Sequence, residues 1–491
     1  MIVIKLNQPQ FEYDIYSLVK AFYPNKGVKV TAGEKEEAGV KQGLLGIKIV
    51  VEETRLYCRL ETTEQITGKE VVLEKEAALE PGEERSSKKS KLKRLLYEML
   101  SAHTGQKLPW GNLTGIRPTK IAYTLLEEGK SQEEIIAHMQ EVYQTSPGKA
   151  RLSVDIAERE RRILSALHYE DGYSLYVGIP FCPTTCMYCS FTAYPIGQWK
   201  KRVEDYLTAL EREMDEVARL FRHKILDTVY VGGGTPTTLE PEEMARLINA
   251  LQNRFDFSTV QEFTVEAGRA DSITEEKLRI MKQLGVDRIS VNPQTMKEET
   301  LKIIGRHHTV EQVKESFLLA RRVGFTNINM DLILGLPGES REDVARTMEE
   351  VVHLEPDSLT VHSLAIKRAS RMNQWIEEQG IETLHNTQET MGLAADAARR
   401  LGMEPYYLYR QKNMAGNLEN VGYAKAGSYG IYNILMMEEK QTIAALGAGT
   451  VSKRVYPDGQ IERRDNVKAV ELYIQRIEEM IERKKTLFAD C

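Results

Sequence analysis

The chain has 491 residues, of which 42% are hydrophobic and 28% are charged, and its formal net charge is −6. These values are ordinary for a globular protein of about two to four domains, and the slight acidity argues against nucleic acid as the main partner. Five cysteines are too few for a disulfide scaffold. The N-terminus lacks a basic stretch followed by an apolar run, and no uncharged apolar run approaches about 18 residues. We therefore expect a cytoplasmic protein without a membrane span.

Two parts are predicted before residue 169. Residues 2–6 alternate as a short strand, residues 11–22 carry apolar side chains at helical spacing, and residues 43–62 indicate two further strands. These patterns predict a small α/β module over residues 1–85. The mostly helical pattern that follows predicts a connecting region over residues 86–168.

From residue 172 the pattern changes to short runs rich in Val and Ile, each followed by a helical pattern. This alternation predicts βαβ units, a parallel sheet and chemistry at the C-terminal ends of the strands. We predict an α/β fold with a partial (β/α)6 barrel over residues 169–370 and an α-rich, substrate-side domain over residues 371–491. The predicted strands are 174–180, 228–234, 262–267, 288–294, 327–335 and 358–366, and the predicted helices are 203–220, 241–255, 274–284, 309–323 and 341–352.

Three cysteines, Cys182, Cys186 and Cys189, follow the first predicted strand at CxxxCxxC spacing. Thiolates are soft ligands that suit iron–sulfur clusters or zinc. A structural zinc ion needs four protein ligands, and the segment offers no fourth one. The alternative that these are three small buried apolar side chains is disfavoured by the loop character that Pro180 and Pro183 give the segment. In a cubane cluster, three cysteines leave one iron without a protein ligand.

Polar and glycine-rich motifs follow the later strands. Gly232–Pro236 (GGGTP) allows close approach of a ligand to the backbone, but alone it is also consistent with a tight turn. A carboxylate in the position of Glu266 is as often a surface group as a ligand. Asp331 lies inside an apolar strand, so burial demands a partner such as a ribose hydroxyl or an arginine. Further candidates at strand ends or just beyond them are Gln294, Arg306, His362 and Ala365.

The cysteine spacing, with Tyr188 before the third cysteine, resembles that of the radical S-adenosylmethionine (SAM) superfamily. In that superfamily the three cysteines hold a [4Fe–4S] cluster, SAM chelates the open iron, and reductive cleavage yields a 5′-deoxyadenosyl radical. Together with the later motifs, residues 174–366 resemble the oxygen-independent coproporphyrinogen III oxidases (dehydrogenases). The stretch 406–453 resembles the HemZ-type subgroup in particular.

The resemblance implies a set of cofactor contacts and partners. Gln294, Arg306 and Asp331 would belong partly to a second SAM or to the adenosine pocket, so one or two SAM molecules are implied. A low-potential electron donor such as a flavodoxin or ferredoxin is the implied redox partner. The matching SAM contacts are Tyr176, Tyr188, Gly233, Gly234, Thr235, Glu266, Gln294, Arg306, Asp331 and Ala365.

The chain departs from the best-understood family members at two positions. Gly178 stands where they have histidine, and Phe191 stands where they have a fourth cysteine. The related haem chaperones share the CxxxCxYCxF form but carry a haem-binding motif that this sequence lacks. Three functions stay open at this point: a coproporphyrinogen III dehydrogenase, a haem or tetrapyrrole carrier, and another radical SAM enzyme acting on tetrapyrroles, such as a methylating, ring-opening haem degrader.

The substrate implied by the resemblance is an anionic porphyrinogen with two propionates that become vinyl groups. Arginine and lysine are the residues best suited to hold carboxylates. Candidates for this role are Lys367, Arg368, Arg410 and Lys412, although for any one of them solvated surface charge is the more common role. We assign no catalytic side chain beyond the cluster and SAM.

Overall fold

The structure is a computed structural model that describes residues 1–24, 26–32, 45–63, 70–115, 117–168, 171–365, 370–380, 384, 386–411 and 418–489. The chain divides into two compact units. The first comprises Met1–Asp155 with Arg410–Leu418, and the second comprises Ile156–Tyr409 with Glu419–Cys491. The boundary at residue 155 lies inside a helix of the predicted connecting region. As domain divisions, the four predicted segments stay a prediction.

The first unit is built on a five-stranded sheet of order β2-β1-β3-β4-β5. The strand β1 runs parallel to β2 and β3, and the remaining pairs are antiparallel. Its elements are β1 (Ile2–Leu6), α1 (Glu12–Phe22), β2 (Val28–Ala32), β3 (Leu45–Val51), β4 (Arg55–Thr63), β5 (Glu70–Ala78), α2 (Arg85–Thr104), α3 (Thr119–Glu127), α4 (Gln132–Tyr143) and α5 (Pro147–Leu164), of which α5 continues into the second unit.

The sequence pattern identifies β1, α1, β3 and β4 but misses β2 and β5. In β5 the side chains of Val72, Glu74 and Glu76 are exposed, and Lys75 lies on the opposite, partly buried face. This edge strand therefore lacks the apolar alternation on which strand prediction depends, and charges on an edge strand disfavour pairing with other chains. Cys58 lies fully buried in the core of this unit.

The second unit contains an 11-stranded sheet, a separate sheet of two short strands (Phe181–Cys182 and Tyr194–Pro195), and the helices that follow the strands. Its strands are β6 (Gly172–Ile179), β7 (Phe181–Cys182), β8 (Tyr194–Pro195), β9 (Ile225–Gly233), β10 (Glu262–Glu266), β11 (Arg288–Ser290), β12 (Asn327–Leu334), β13 (Ser358–Ser363), β14 (Glu404–Tyr409), β15 (Asn420–Ala424), β16 (Thr442–Leu446), β17 (Val451–Val455) and β18 (Ile461–Asp465). Its helices are α6 (Ile196–Trp199), α7 (Val203–Leu220), α8 (Pro241–Gln252), α9 (Glu275–Gln283), α10 (Glu298–Ile303), α11 (Val310–Val323), α12 (Arg341–Leu354), α13 (Met372–Gln379), α14 (Gln388–Arg400), α15 (Ile431–Glu438), α16 (Val470–Gln475) and α17 (Ile477–Leu487).

The predicted α/β core is confirmed. The strands β6, β9, β10, β11, β12 and β13 are parallel neighbours in chain order, separated by helices as predicted. Their C-terminal ends therefore lie along one edge of the sheet. The side chains of these strands are largely buried, as expected for a parallel sheet that helices cover.

The C-terminal part contributes more strands than predicted. Besides α13 to α17 it supplies β14 to β18 to the same sheet, with β15 antiparallel to β13 at one end and β16 parallel to β6 at the other. The α-rich prediction for this part therefore describes only its helices. Within the described part of the chain, every helix is too short or too polar to cross a lipid bilayer.

Candidate functional site

The three cysteines lie on the loop that follows β6. The chain passes from Ile179 through β7, which begins the loop, and the loop ends where β8 pairs parallel with β7. Cys182 and Cys186 are buried, and Cys189 is partly exposed. Burial raises the pKa of the Cys182 thiol to about 11, and the other two cysteines add to this effect. In the free loop Cys182 is therefore a thiol, and a bound metal would displace its proton.

This donor set fits an iron–sulfur cluster. Three sulfurs on one short loop, two of them shielded from solvent, match the soft ligands that such a cluster needs. Among the described residues, no three His, Cys, Asp or Glu side chains are grouped closely enough to share one metal ion. A cubane cluster makes no such demand, because each thiolate binds its own iron.

The glycine turn at the end of β9 lies directly against the cysteine loop. Gly233 has φ +111°, which favours glycine, and a Cβ on Gly234 would lie 2.6 Å from the Phe181 carbonyl oxygen and 3.0 Å from Cys182 Sγ. The Thr235 hydroxyl donates to Cys182 Sγ at 3.4 Å. The absence of side chains at these glycines keeps the backbone of the turn close to Phe181 and to the sulfur of Cys182.

Glu266, the last residue of β10, is held by a tyrosine that the sequence analysis did not select. The Tyr230 hydroxyl donates to Glu266 Oε1 at 2.6 Å. Burial raises the pKa of Glu266 to about 7; the Tyr230 hydrogen bond opposes this shift and the Asp331 charge adds to it. A buried carboxyl group at a strand end with a pKa near 7 is typical of functional sites. This favours the interpretation that Glu266 contacts a ligand over the one that it is a surface group.

Tyr176 forms an aromatic stack with Tyr230 and Tyr432. The centroid of the Tyr176 ring is 6.0 Å from those of both partners, and the Tyr230 and Tyr432 centroids are 4.6 Å apart. Tyr432 comes from α15, whose first backbone N–H groups donate to the buried Glu262 carboxylate. A helix from the C-terminal part thus supplies a ring against the strand tyrosines and, through Tyr230, supports Glu266.

Gln294 follows β11 in a strained, buried conformation. Its φ is +68°, a rare value for a residue other than glycine. Its backbone holds the conformation through bonds to Asp331 and Ile333, with N–H to O distances of 2.9 Å for both. Within the described residues its side-chain Oε1 is buried without a hydrogen-bond partner. Strain together with an unsatisfied acceptor indicates a ligand contact.

Asp331 in β12 is surrounded by polar partners. Asn329 Nδ2 donates to its Oδ1 at 2.7 Å, and His362 Nε2 lies 3.9 Å from its Oδ2. Burial alone would raise the pKa of Asp331, but His362, Asn329 and Thr360 outweigh burial and hold it below its ordinary value. The partners that this chain gives Asp331 are thus an amide, a histidine and a hydroxyl.

Arg306 is buried beside the cysteine loop. It donates to the Asn292 carbonyl oxygen, and to the Tyr188 hydroxyl at 3.1 Å. Burial on its own would lower the pKa of Arg306, but Tyr188 and Cys186 raise it above its ordinary value. In the described part of the chain its Nε is buried with no acceptor. Arg306 and Tyr188, which are distant in sequence, therefore meet in one site.

Of the remaining predicted contacts, Ala365 lies two residues after β13, at the same edge of the sheet. Lys367, Arg368 and Lys412 lie outside the described residues. Arg410 belongs to the first unit, where its guanidinium is 5% exposed and donates to the Leu113 carbonyl oxygen at 2.7 Å. It also lies over the Trp110 ring, 5.8 Å from the centroid. The four side chains stay predicted substrate contacts.

Similarity to known proteins agrees with this geometry. Residues 176–351 match the Radical SAM superfamily. The chain is also 43% identical over 401 residues to the oxygen-independent coproporphyrinogen-III oxidase-like protein HemZ of Bacillus subtilis, covering 81% of this chain and 80% of that protein. The chain belongs to the oxygen-independent coproporphyrinogen III oxidase family of the radical SAM superfamily.

Two other relatives match over the radical SAM region. The heme chaperone HemW of Bacillus subtilis is 37% identical over 195 residues, 40% of this chain and 51% of that protein. The oxygen-independent coproporphyrinogen III oxidase of Escherichia coli is 33% identical over 223 residues, 45% of this chain and 48% of that protein. The chain thus spans about half of each of these relatives.

The fold is similar to that of the solved coproporphyrinogen III oxidase (HemN) of Escherichia coli, described as a radical SAM enzyme. The TM-score is 0.51 at 23% identity, covering 65% of this chain and 72% of that one. This similarity confirms the fold that was predicted from the sequence. The radical SAM family implies a [4Fe–4S] cluster and SAM, in agreement with the donor set of the cysteine loop.

The departure at Gly178 has a steric basis. A Cβ at this position would lie 2.5 Å from Thr450 Cγ2 and 3.4 Å from the Leu446 carbonyl oxygen. The segment that follows β16, which we call the GAG loop (Gly447–Thr450), thus occupies the space that a side chain at residue 178 would need. Gly449 in turn lies against Thr192, in the segment between Cys189 and β8.

Gly178→Ala is expected to lower the free energy of unfolding by about 1–3 kcal/mol, because the added methyl group overpacks the contact with Thr450. A thermal or urea melt measures this loss. Thr450→Ser removes the methyl group and keeps the hydroxyl that donates to Gly447, so the double variant should recover most of the loss. Equal stability of Gly178→Ala and the wild type would contradict the contact.

The ligand-free protein should lose stability as the pH rises through about 7. Glu266 has a folded pKa of about 7 against an ordinary value of 4.5, so its contribution is fully present below pH 4.5 and is lost as the pH rises through 7. Glu266→Gln stays neutral, and it should therefore raise the melting temperature relative to wild type by a few degrees at pH 8 but not at pH 4.5. The exposed Glu299→Gln is the matched control, and the same response in both variants would contradict the prediction.

The sequence analysis missed several residues that the structure brings to this site. Asn292 lies near the end of the predicted strand 288–294, so its position at the active edge was an available signal. Tyr230 lies inside a predicted strand, two residues before the glycine turn. No local sequence pattern indicates its contact with Tyr176. Tyr432 had no signal at all, since its helix reaches the site from a distant part of the chain.

Proposed function

We propose that the protein is an oxygen-independent coproporphyrinogen III dehydrogenase that converts two propionates to vinyl groups and yields protoporphyrinogen IX. The observation that carries this proposal is the 43% identity to a coproporphyrinogen-III oxidase-like protein over 81% of the chain. The match is long enough to extend beyond the radical SAM region, so it favours this substrate class over other radical SAM reactions.

The cofactor residues support the proposal. Cys182, Cys186 and Cys189 would hold the [4Fe–4S] cluster, and the glycine turn beside Cys182 would receive the methionyl part of SAM. When bound and supplied with one electron, the cluster and SAM provide a 5′-deoxyadenosyl radical that removes a hydrogen atom from a propionate. The unsatisfied atoms of Gln294 and Arg306 would complete the adenosine pocket or a second SAM site.

The chain's own residues would position the bound groups and shield them from water. Glu266, whose pKa is about 7, and the charged Asp331 would bind hydroxyl or ammonium groups. The rings of Tyr176, Tyr230 and Tyr432 would form an apolar wall that limits the access of water. Each propionate would become a vinyl group by losing a hydrogen atom to the 5′-deoxyadenosyl radical, one further electron to an external one-electron acceptor, and CO2, so that no amino-acid base is required. The electron donor that we propose is a low-potential protein such as a flavodoxin or ferredoxin.

An anaerobic assay of the reconstituted protein with SAM, dithionite and coproporphyrinogen III tests the proposal. We expect protoporphyrinogen IX together with two molecules of 5′-deoxyadenosine per product. Deoxyadenosine without protoporphyrinogen would overturn the substrate assignment and leave a radical SAM reaction on another tetrapyrrole.

The second candidate function is haem or tetrapyrrole binding, which the 37% identity to a heme chaperone over the radical SAM region favours. Stoichiometric haem binding in the absence of both deoxyadenosine and product would support it and overturn the dehydrogenase. The sequence lacks the haem-binding motif of those chaperones, so the dehydrogenase is the better-supported candidate.

A further inference from the structure

Arg269 is a buried arginine beside the cysteine loop that has no part in the site described so far. It lies three residues after Glu266, on the loop that leaves the active edge of β10, and only 3% of it is exposed. A buried guanidinium keeps its charge and must be fully partnered, because desolvation of an unpaired charge is costly.

One edge of the Arg269 guanidinium faces the cysteine loop. Its Nη1 donates to the Thr184 carbonyl oxygen and hydroxyl, both at 2.9 Å, and lies 3.8 Å from Cys186 Sγ in hydrogen-bonding geometry. The same group thus fixes the backbone between the first two cysteines and directs an N–H at the sulfur of the second.

The other edge is held by a single carboxylate. Arg269 Nε and Nη2 donate to the two oxygens of Asp271 at 2.9 and 2.6 Å, a bidentate pair. The buried His308 lies beyond, with Nδ1 3.7 Å from Asp271 Oδ1. Arg306 also interacts with Cys186, so two guanidinium groups contact this sulfur, and one of them is paired with the Asp271 carboxylate on its other edge.

We propose that Arg269 sets the reduction potential of the cluster that the three cysteines bind, through its N–H···S contact with Cys186 and its buried positive charge. The inference rests on the [4Fe–4S] assignment and not on the identity of the substrate. Reduction adds one electron to the cluster without transfer of a proton or ligand. A nearby positive charge and a hydrogen bond to sulfur stabilise the more negative, reduced state.

In this role Arg269 is a positioning residue that raises the reduction potential of the cluster, and the negative charge of Asp271 partly offsets that effect. Removing the arginine charge should make the potential more negative, whereas removing the Asp271 charge should make it less negative, since Arg269 is then uncompensated. A purely structural pair would give no such opposition, because loss of either partner would act in the same direction on folding and cluster content.

A potentiometric titration of the reconstituted full-length protein, followed by the EPR signal of the reduced cluster, tests the proposal. For Arg269→Gln we expect the ratio of reduced to oxidised cluster at a fixed potential to fall about tenfold, which is about 59 mV for a one-electron couple. Arg269→Lys keeps the charge and should shift less. Asp271→Asn should shift in the opposite direction.

Arg254→Gln is the matched control, because Arg254 also forms an arginine–carboxylate pair, with Asp215 on α7. The cluster of this variant should have the same reduction potential as that of the wild type. An unchanged potential in Arg269→Gln, or shifts of the same sign in Arg269→Gln and Asp271→Asn, would overturn the inference. If Arg269→Gln takes up no cluster, the other two variants test the inference. The reduction potential should then shift to a more negative value in Arg269→Lys and to a less negative value in Asp271→Asn. A wild-type protein without a [4Fe–4S] signal would instead overturn the cofactor assignment.

Discussion

Replacing Cys186 with alanine is expected to abolish reductive cleavage of SAM and to leave the protein without a complete four-iron cluster. Three protein thiolates are already one fewer than a cubane has irons, and the open iron is the one that SAM needs. With Cys186 gone a second iron has no protein ligand. Formation of 5′-deoxyadenosine should fall to background, and iron and sulfide analysis with EPR should show incomplete clusters.

Cys58→Ala is the matched control for this variant. Cys58 is also a buried free thiol, but it lies in the core of the first unit, and its burial raises its pKa to about 12. Its replacement should leave iron content and deoxyadenosine formation at wild-type levels. A Cys186→Ala protein that holds four irons per chain and cleaves SAM would show that Cys186 is not a ligand.

Replacing Lys484 with methionine should lower the free energy of unfolding by about 3–5 kcal/mol, the usual cost of leaving a buried charge unpaired. Lys484 and Glu213 are both fully buried, with Nζ and Oε1 3.3 Å apart. Burial lowers the pKa of Lys484, and the Glu213 charge opposes that shift. Without Lys484, Glu213 keeps its neutral donors but loses its counter-charge.

The effect should extend to the active edge. Glu213 accepts hydrogen bonds from the Tyr473 hydroxyl at 2.6 Å and from the Gly447 backbone N–H at 2.8 Å, so it holds the GAG loop that lies against Gly178. We therefore expect Lys484→Met to weaken SAM binding as well as stability. Urea unfolding followed by circular dichroism, and SAM titration of the reconstituted protein, measure the two effects.

The double variant Glu213→Gln/Lys484→Met provides the control, because removing both charges should restore much of the stability that the single variant loses. The exposed pair Arg212–Glu478 gives a second comparison, and Arg212→Ala should cost less than about 1 kcal/mol. A loss in Lys484→Met as small as that of Arg212→Ala would contradict the role of the buried pair.

The parallel core could be predicted from the sequence because its signals are local. The six parallel strands are short apolar runs separated by amphipathic helices, and helix α7 begins and ends at the predicted residues. The candidate cofactor residues, whose roles the family resemblance implies, have predictable positions for the same reason. Cys182, Glu266 and Gln294 lie at or just beyond strand ends, so the topology alone brings them to one edge.

What could not be predicted depends on contacts between distant segments. Tyr432 reaches Tyr230 only because Glu262 receives the first turn of its helix, and no pattern near residue 432 reveals this. The packing of Arg410 on Trp110 likewise joins distant parts of the chain, and no local pattern indicates it. The burial of His308 beside Asp271 is a further feature that no pattern near residue 308 indicates.

The pairing of β16 with β6 also determines when the site is completed during synthesis. Strand β6 carries Tyr176 and leads into the cysteine loop, but its parallel neighbour β16 is translated more than half the chain later. Until then the loop lacks the GAG loop that packs against Gly178 and Thr192. The nascent protein therefore passes through a stage in which the six parallel strands can pair while Gly178 and Thr192 still lack their packing partners. The strand that leads into the cysteine loop thus acquires its second neighbour only when the C-terminal part has been synthesised.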